Sequence, residues 1–145
     1  MANTRAGKEF LSLTEKETQN LGESFASNLS EGDVLCLNGP LGAGKTHFVK
    51  GLARGLGFSG EVTSPSFPLV HEYEGGRLFL VHFDFFRLDQ EEDIHTLGFF
   101  DYLGQSVLAI EWGEKFPRFL PSGAKTIRFE ILENGGRRIV FVPSQ

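Results

Sequence analysis

A chain of 145 residues that is 40% hydrophobic has material for one core and little beyond it, so residues 1–145 are expected to form a single domain. A net charge of −5 argues against a chain that grips RNA or DNA through its own field. A lone cysteine, Cys36, excludes an internal disulfide; with no signal-peptide pattern and no apolar run of membrane-spanning length, the expected location is the cytoplasm.

The elements follow in order. Lys8 to Leu13 reads as a strand, and Thr14-Glu15-Lys16-Glu17 as a capping box opening a helix with Leu21, Phe25, Ala26 and Leu29 on its apolar face. Val34-Leu35-Cys36-Leu37 has the continuous apolar character of a buried parallel strand. Phe48, Val49, Leu52, Ala53 and Leu56 recur at helical spacing up to Gly57. A loop is expected over 62–67 and a strand over Pro68–Glu74. Gly75-Gly76 then turns a hairpin into a strand over Arg77–Asp84. Asp89 is expected to cap a short polar helix reaching His95. Val107–Glu111 reads as a buried strand, and Lys125–Leu132 with Arg137–Val142 as a second hairpin. With Gly39 to Thr46 filling G-x-x-x-x-G-K-[ST] between the second strand and its helix, the pattern predicts an α/β fold: a P-loop NTPase-like mixed central sheet, parallel around that loop, with antiparallel hairpins and flanking helices. Fifteen phenylalanines beside two tyrosines and one tryptophan point to aromatic core packing more than to a ligand cage.

Between the second strand and its helix, Gly39-Pro-Leu-Gly-Ala-Gly-Lys-Thr46 fills the pattern G-x-x-x-x-G-K-[ST]. Glycines there let consecutive N–H groups turn inward toward phosphate oxygens, and the helix adds its positive dipole end. Gly39, Leu41, Gly42, Ala43, Gly44, Lys45, Thr46 and His47 are the candidate nucleotide-binding residues. Lys45 is expected to neutralise the β- and γ-phosphates, and the Thr46 hydroxyl to ligate Mg²⁺. Such a site also needs a carboxylate from a neighbouring strand end. Two strands offer one, Asp84 and Glu111, and pattern alone does not rank them.

Five blocks in order resemble the TsaE (YjeE) family. They are Gly39 to Thr46, Thr63-Ser-Pro-Ser-Phe67, His82-Phe-Asp-Phe-Phe-Arg-Leu88, Leu97-Gly98 with Asp101-Tyr102, and Ile110-Glu-Trp-Gly-Glu114. The resemblance runs from about Phe10 to Val142. It implies an ATPase of bacterial tRNA threonylcarbamoyladenosine biosynthesis, using ATP and Mg²⁺ and acting with TsaD and TsaB subunits on the adenosine that follows the anticodon. The tRNA would be reached only through the complex, with no role at DNA or membrane. It further implies Ser66 and Asp84, with Thr46, as metal-shell residues, Glu111 as an acid near the γ-phosphate working with Lys45, and Trp112 beside it at the nucleotide. The family usually has threonine at Ser66, which keeps a hydroxyl, and tyrosine at Phe86, which here loses one. His82 reads as a hydrogen-bonded structural histidine, and Arg87 as a phosphate or partner contact or a surface ion pair.

Two other classes remain open from the residues. A small-molecule or nucleotide kinase shares the loop, but no arginine-rich lid is present. A GTPase-type switch would carry Asn-Lys-x-Asp or Thr-Lys-x-Asp, and neither occurs, which favours adenine over guanine.

Overall fold

A computed structural model describes residues 8–60 and 69–143. In chain order its regular elements are β1 (Lys8–Ser12), α1 (Glu15–Phe25), β2 (Val34–Asn38), α2 (Lys45–Gly55), β3 (Val70–Tyr73), β4 (Leu80–Asp84), α3 (Glu91–Thr96), α4 (Phe99–Tyr102), β5 (Val107–Glu111), β6 (Lys125–Ile131) and β7 (Arg137–Val142). The strands form one mixed sheet in the order β1-β7-β6-β2-β5-β4-β3. Its middle, β6-β2-β5-β4, is parallel, and β7, β1 and β3 add on antiparallel. This is the α/β arrangement expected from the sequence.

β2 sits at the centre because Val34 to Leu37 are apolar on both faces, and both are covered. On one side α1 and α2 pack Phe48, Leu52 and Leu56 onto Leu35, Leu37, Phe129 and Ile139. On the other, Val81, Phe83, Leu108 and Ile110 meet Phe85, Phe99 and Phe116 from the short helices and turns. Phenylalanine does this packing edge-on, with ring centroids 5.6 Å apart for Phe48–Phe129 and 5.2 Å for Phe83–Phe99. Cys36 lies in this interior, and burial pushes its thiol up to about 11. Helices α1 and α2 lie almost backbone to backbone: a Cβ at Gly51 would stand 1.9 Å from the Gln19 carbonyl oxygen.

Local chemistry sets several boundaries. Thr14 caps α1 by accepting the Glu17 N–H at 3.0 Å, and the Glu17 carboxylate reaches back to the Leu13 N–H at 2.8 Å. Three expectations are corrected. β4 begins at Leu80, not Arg77, because the Arg77 guanidinium is taken by the carbonyls of Ala26 (2.8 Å) and Leu29 (3.4 Å), and its N–H by the Leu56 carbonyl. The residue capping α3 is Gln90, not Asp89; Asp93 turns back to accept the Gln90 N–H at 3.2 Å. Between Thr96 and Val107 the chain adds α4, which periodicity did not reveal because it spans only four residues. Among the described residues no helix is long and apolar enough to cross a membrane.

Candidate nucleotide site

The parallel register brings the site together. Leu37, Glu111 and Asp84 lie in one row across β2, β5 and β4, at the carboxyl ends of the strands. Side chains in that row point to the face covered by α2, whose first residue is Lys45. Gly44 precedes it with φ +99°, a left-handed conformation that lets the loop fold back over the helix start. The loop Gly39–Thr46 and the ends of β4 and β5 thus share one edge, where open α/β sheets bind ligands.

Here Lys45 is folded inward. Its side chain is 3% exposed, and Nζ donates to the Gly39 carbonyl at 2.5 Å. The same ammonium lies 4.0 Å from Glu111 Oε1 and 4.3 Å from the centroid of the Trp112 ring. Burial lowers the Lys45 pKa, and the negative charges of Glu111, Glu114 and Asp84 pull it partly back. Trp112 holds this position with φ +62°, a left-handed backbone that a bulky residue rarely adopts, and its ring packs against Phe86 at a tilt of 48°, centroids 5.1 Å apart.

Glu111 is the hub. Its Oε2 accepts from His82 Nε2 at 2.7 Å and from the Thr46 hydroxyl at 3.3 Å. Burial alone would raise its carboxyl pKa. The His82 hydrogen bond, the charges of His82 and Lys45, and the Thr46 hydroxyl outweigh this and hold it below the ordinary carboxylate value. Of the two carboxylates that pattern left unranked, Glu111 is the one touching Thr46. Asp84 faces the same cavity and accepts the Phe86 N–H at 3.0 Å. His82 is indeed hydrogen-bonded, and its partner is Glu111, on the neighbouring strand.

Around this edge lies a cavity of about 520 Å³. Leu41, Gly42, Gly44, Lys45, Thr46 and His47 form one wall. Ala43 is fully buried and turns its methyl into the core, leaving its backbone to the loop. His47 is tied to α1, with Nε2 3.1 Å from Glu15 and Nδ1 accepting from the Gln19 amide at 3.2 Å. The opposite wall escaped sequence reasoning: the β1–α1 turn at Leu13, Thr14 and Glu15, and the β6–β7 hairpin at Gly135 and Arg137. Arg137 donates to the Gly42 carbonyl at 2.8 Å, strapping the glycine loop to the last strand. Its one sequence signal is an arginine directly after the Gly135-Gly136 turn, which means nothing until β7 is known to lie near the loop. Ser66, with the block 63–67, lies outside the described residues. Arg87 is exposed, and among the described residues it makes no ion pair.

Residues 12–139 match the family model described as "Threonylcarbamoyl adenosine biosynthesis protein TsaE". The chain is 43% identical over 130 residues to the tRNA threonylcarbamoyladenosine biosynthesis protein TsaE of Treponema pallidum, covering 89% of this chain and 96% of that one. To the protein of the same name from Bacillus subtilis it is 39% identical over 127 residues, covering 87% and 79%. The crystal structure of Bacillus subtilis YdiB superposes with a TM-score of 0.77 at 32% identity, covering 95% of this chain and 86% of that chain.

Proposed function

Because the chain belongs to the TsaE family and so to tRNA threonylcarbamoyladenosine biosynthesis, we propose that it binds ATP with Mg²⁺ at the Gly39–Thr46 loop. We further propose that it hydrolyses ATP slowly in support of that modification, as one component of an assembly with TsaD and TsaB subunits. One observation carries the reading: Lys45, Thr46, Asp84 and Glu111 converge on a single cavity at the start of α2.

The residues fit a metal–triphosphate pair. Among the described residues no three His, Cys, Asp or Glu side chains form a metal cage of their own. The Thr46 hydroxyl with Asp84, and Ser66 as the family pattern implies, would supply the protein's share of a Mg²⁺ shell completed by phosphate oxygens and water. Bound there, the ion would offset phosphate charge. The loop N–H groups and the start of α2 hold the phosphates, and Lys45 turns from the Gly39 carbonyl toward them. Thr46 gives up its bond to Glu111. Glu111, kept ionised, then orients the attacking water. With the triphosphate at Lys45, the part of the cavity lined by Thr14 and Gly135 would take the nucleoside, while Arg137 braces the loop through the Gly42 carbonyl. The net charge of −5 leaves tRNA to the partner subunits.

The test is calorimetric titration of ATP, ADP and GTP with and without Mg²⁺, followed by phosphate release alone and with TsaD and TsaB. ATP should bind in preference to GTP, basal release should be slow and rise with the subunits, and association should differ between ATP and ADP states. Lys45→Ala and Thr46→Ala should each slow release about a hundredfold or more. Wild-type turnover by either variant, or fast stand-alone turnover indifferent to the subunits, refutes the proposal. Delivery of the terminal phosphate to an organic acceptor would make the protein a kinase instead.

A further inference from the structure

We infer that His82 is a positioning residue: it fixes which oxygen of Glu111 faces the nucleotide and keeps that carboxylate from collapsing onto Lys45. The inference rests on the reading of Glu111 as the group that acts on water. The geometry behind it is an asymmetry between the two oxygens. Oε2 is held from two sides, by His82 Nε2 at 2.7 Å and the Thr46 hydroxyl at 3.3 Å, while Oε1 faces Lys45 Nζ at 4.0 Å. Ring and carboxylate are both well covered, with side-chain exposures of 10% for His82 and 8% for Glu111. His82 opposes Ala109 in the β4–β5 register and Asp84 opposes Glu111, so His82 reaches Glu111 diagonally from a rigid strand.

These anchors do not survive binding equally. When the Thr46 hydroxyl turns to a metal–triphosphate pair, Glu111 keeps only His82. A buried ammonium stands 4.0 Å from its other oxygen, and opposite charges at that distance attract strongly away from bulk water. A glutamate side chain with no second anchor would swing toward Lys45, removing the acceptor that water needs. The His82 hydrogen bond opposes that swing. Oε2 stays pinned, and Oε1 remains directed into the space above Lys45.

The experiment compares His82→Leu, His82→Gln and wild type in purified protein. The glutamine amide places an N–H near the position of Nε2, whereas leucine fills the space without a donor. His82→Leu should lower kcat roughly 10–100-fold, the range seen when an orienting partner is lost, with nucleotide affinity changed less than about threefold. His82→Gln should recover most of kcat. A second readout needs no nucleotide: a double-mutant cycle of His82→Leu with Glu111→Gln, read by urea unfolding, should show a coupling of about tenfold or more in the unfolding constant. Equal kcat in the Leu and Gln variants, loss of affinity in step with kcat, or no coupling in the cycle would overturn the inference. If wild type itself releases no phosphate, alone or with the partner subunits, the proposed function fails; the stability cycle still decides the contact.

Discussion

Helix propensity says that Gly51→Ala should stabilise α2; the packing says the opposite. Alanine in a helix interior is favoured over glycine by about 1 kcal/mol. At Gly51, however, the added Cβ would stand 1.9 Å from the Gln19 carbonyl oxygen and 2.9 Å from the Glu23 nitrogen, both backbone atoms of α1. An ordinary carbon–oxygen contact is about 3.3 Å, so the helices would have to part by about 1.4 Å. Overpacking that only backbone movement can relieve costs about 3 kcal/mol, which leaves a net loss of about 2 kcal/mol after the propensity gain. For a chain of this size that lowers the melting temperature by about 6 °C. The displacement also moves Thr14 and Glu15 away from the glycine loop, so nucleotide affinity should fall as well. Thermal melts of wild type, Gly51→Ala and a control, Gly123→Ala, test it; an added Cβ at Gly123 meets nothing within 4 Å. A Gly51→Ala protein melting at or above wild type would refute the reasoning.

Asp84→Ala should weaken Mg²⁺-dependent nucleotide binding, while Glu111→Ala should lower turnover with binding largely kept; titrations giving the reverse would exchange the two roles. Arg137→Ala removes the strap to the Gly42 carbonyl and should raise the nucleotide dissociation constant by about tenfold, the loss expected of a hydrogen bond from a charged donor. Unchanged affinity would count against it. Glu111 also links stability to pH. Its folded carboxyl sits below the ordinary value, so the unfolded chain binds that proton more tightly. The stabilisation is complete above the ordinary carboxylate value and is lost as pH falls through the folded one. Urea midpoints should therefore drop less on acidification in Glu111→Gln than in wild type, and parallel curves would contradict this.

The glycine loop was legible because its chemistry is local: eight consecutive residues, an apolar strand before and a helical period after. Asp84 and Glu111 were legible as strand ends, but their ranking was not, since which one meets Thr46 depends on β5 lying beside β2. The His82–Glu111 contact is diagonal across a parallel pair and has no signature along the chain. Arg137 and the β1–α1 turn were missed for the same reason, because β7 and β1 reach the cavity only through the order of the sheet. Arg77 misled in another way: its alternation suits a strand, yet two carbonyls left over at the end of the α1 segment claim its guanidinium.

The place of β2 in the sheet also governs how the molecule can be made. Its two neighbours, β5 and β6, come from residues 107–131, long after β2 itself has left the ribosome. A nascent chain that ends before residue 107 carries Val34–Leu37 as an apolar strand with both edges bare, a segment prone to wrong pairing. Pairings this distant in sequence make folding slow and all-or-none. The cavity wall closes later still, once Arg137 reaches the loop. Fragments ending short of β7 should therefore aggregate rather than act as miniature binding modules, and the protein's solubility during synthesis depends on how long β2 waits for its neighbours.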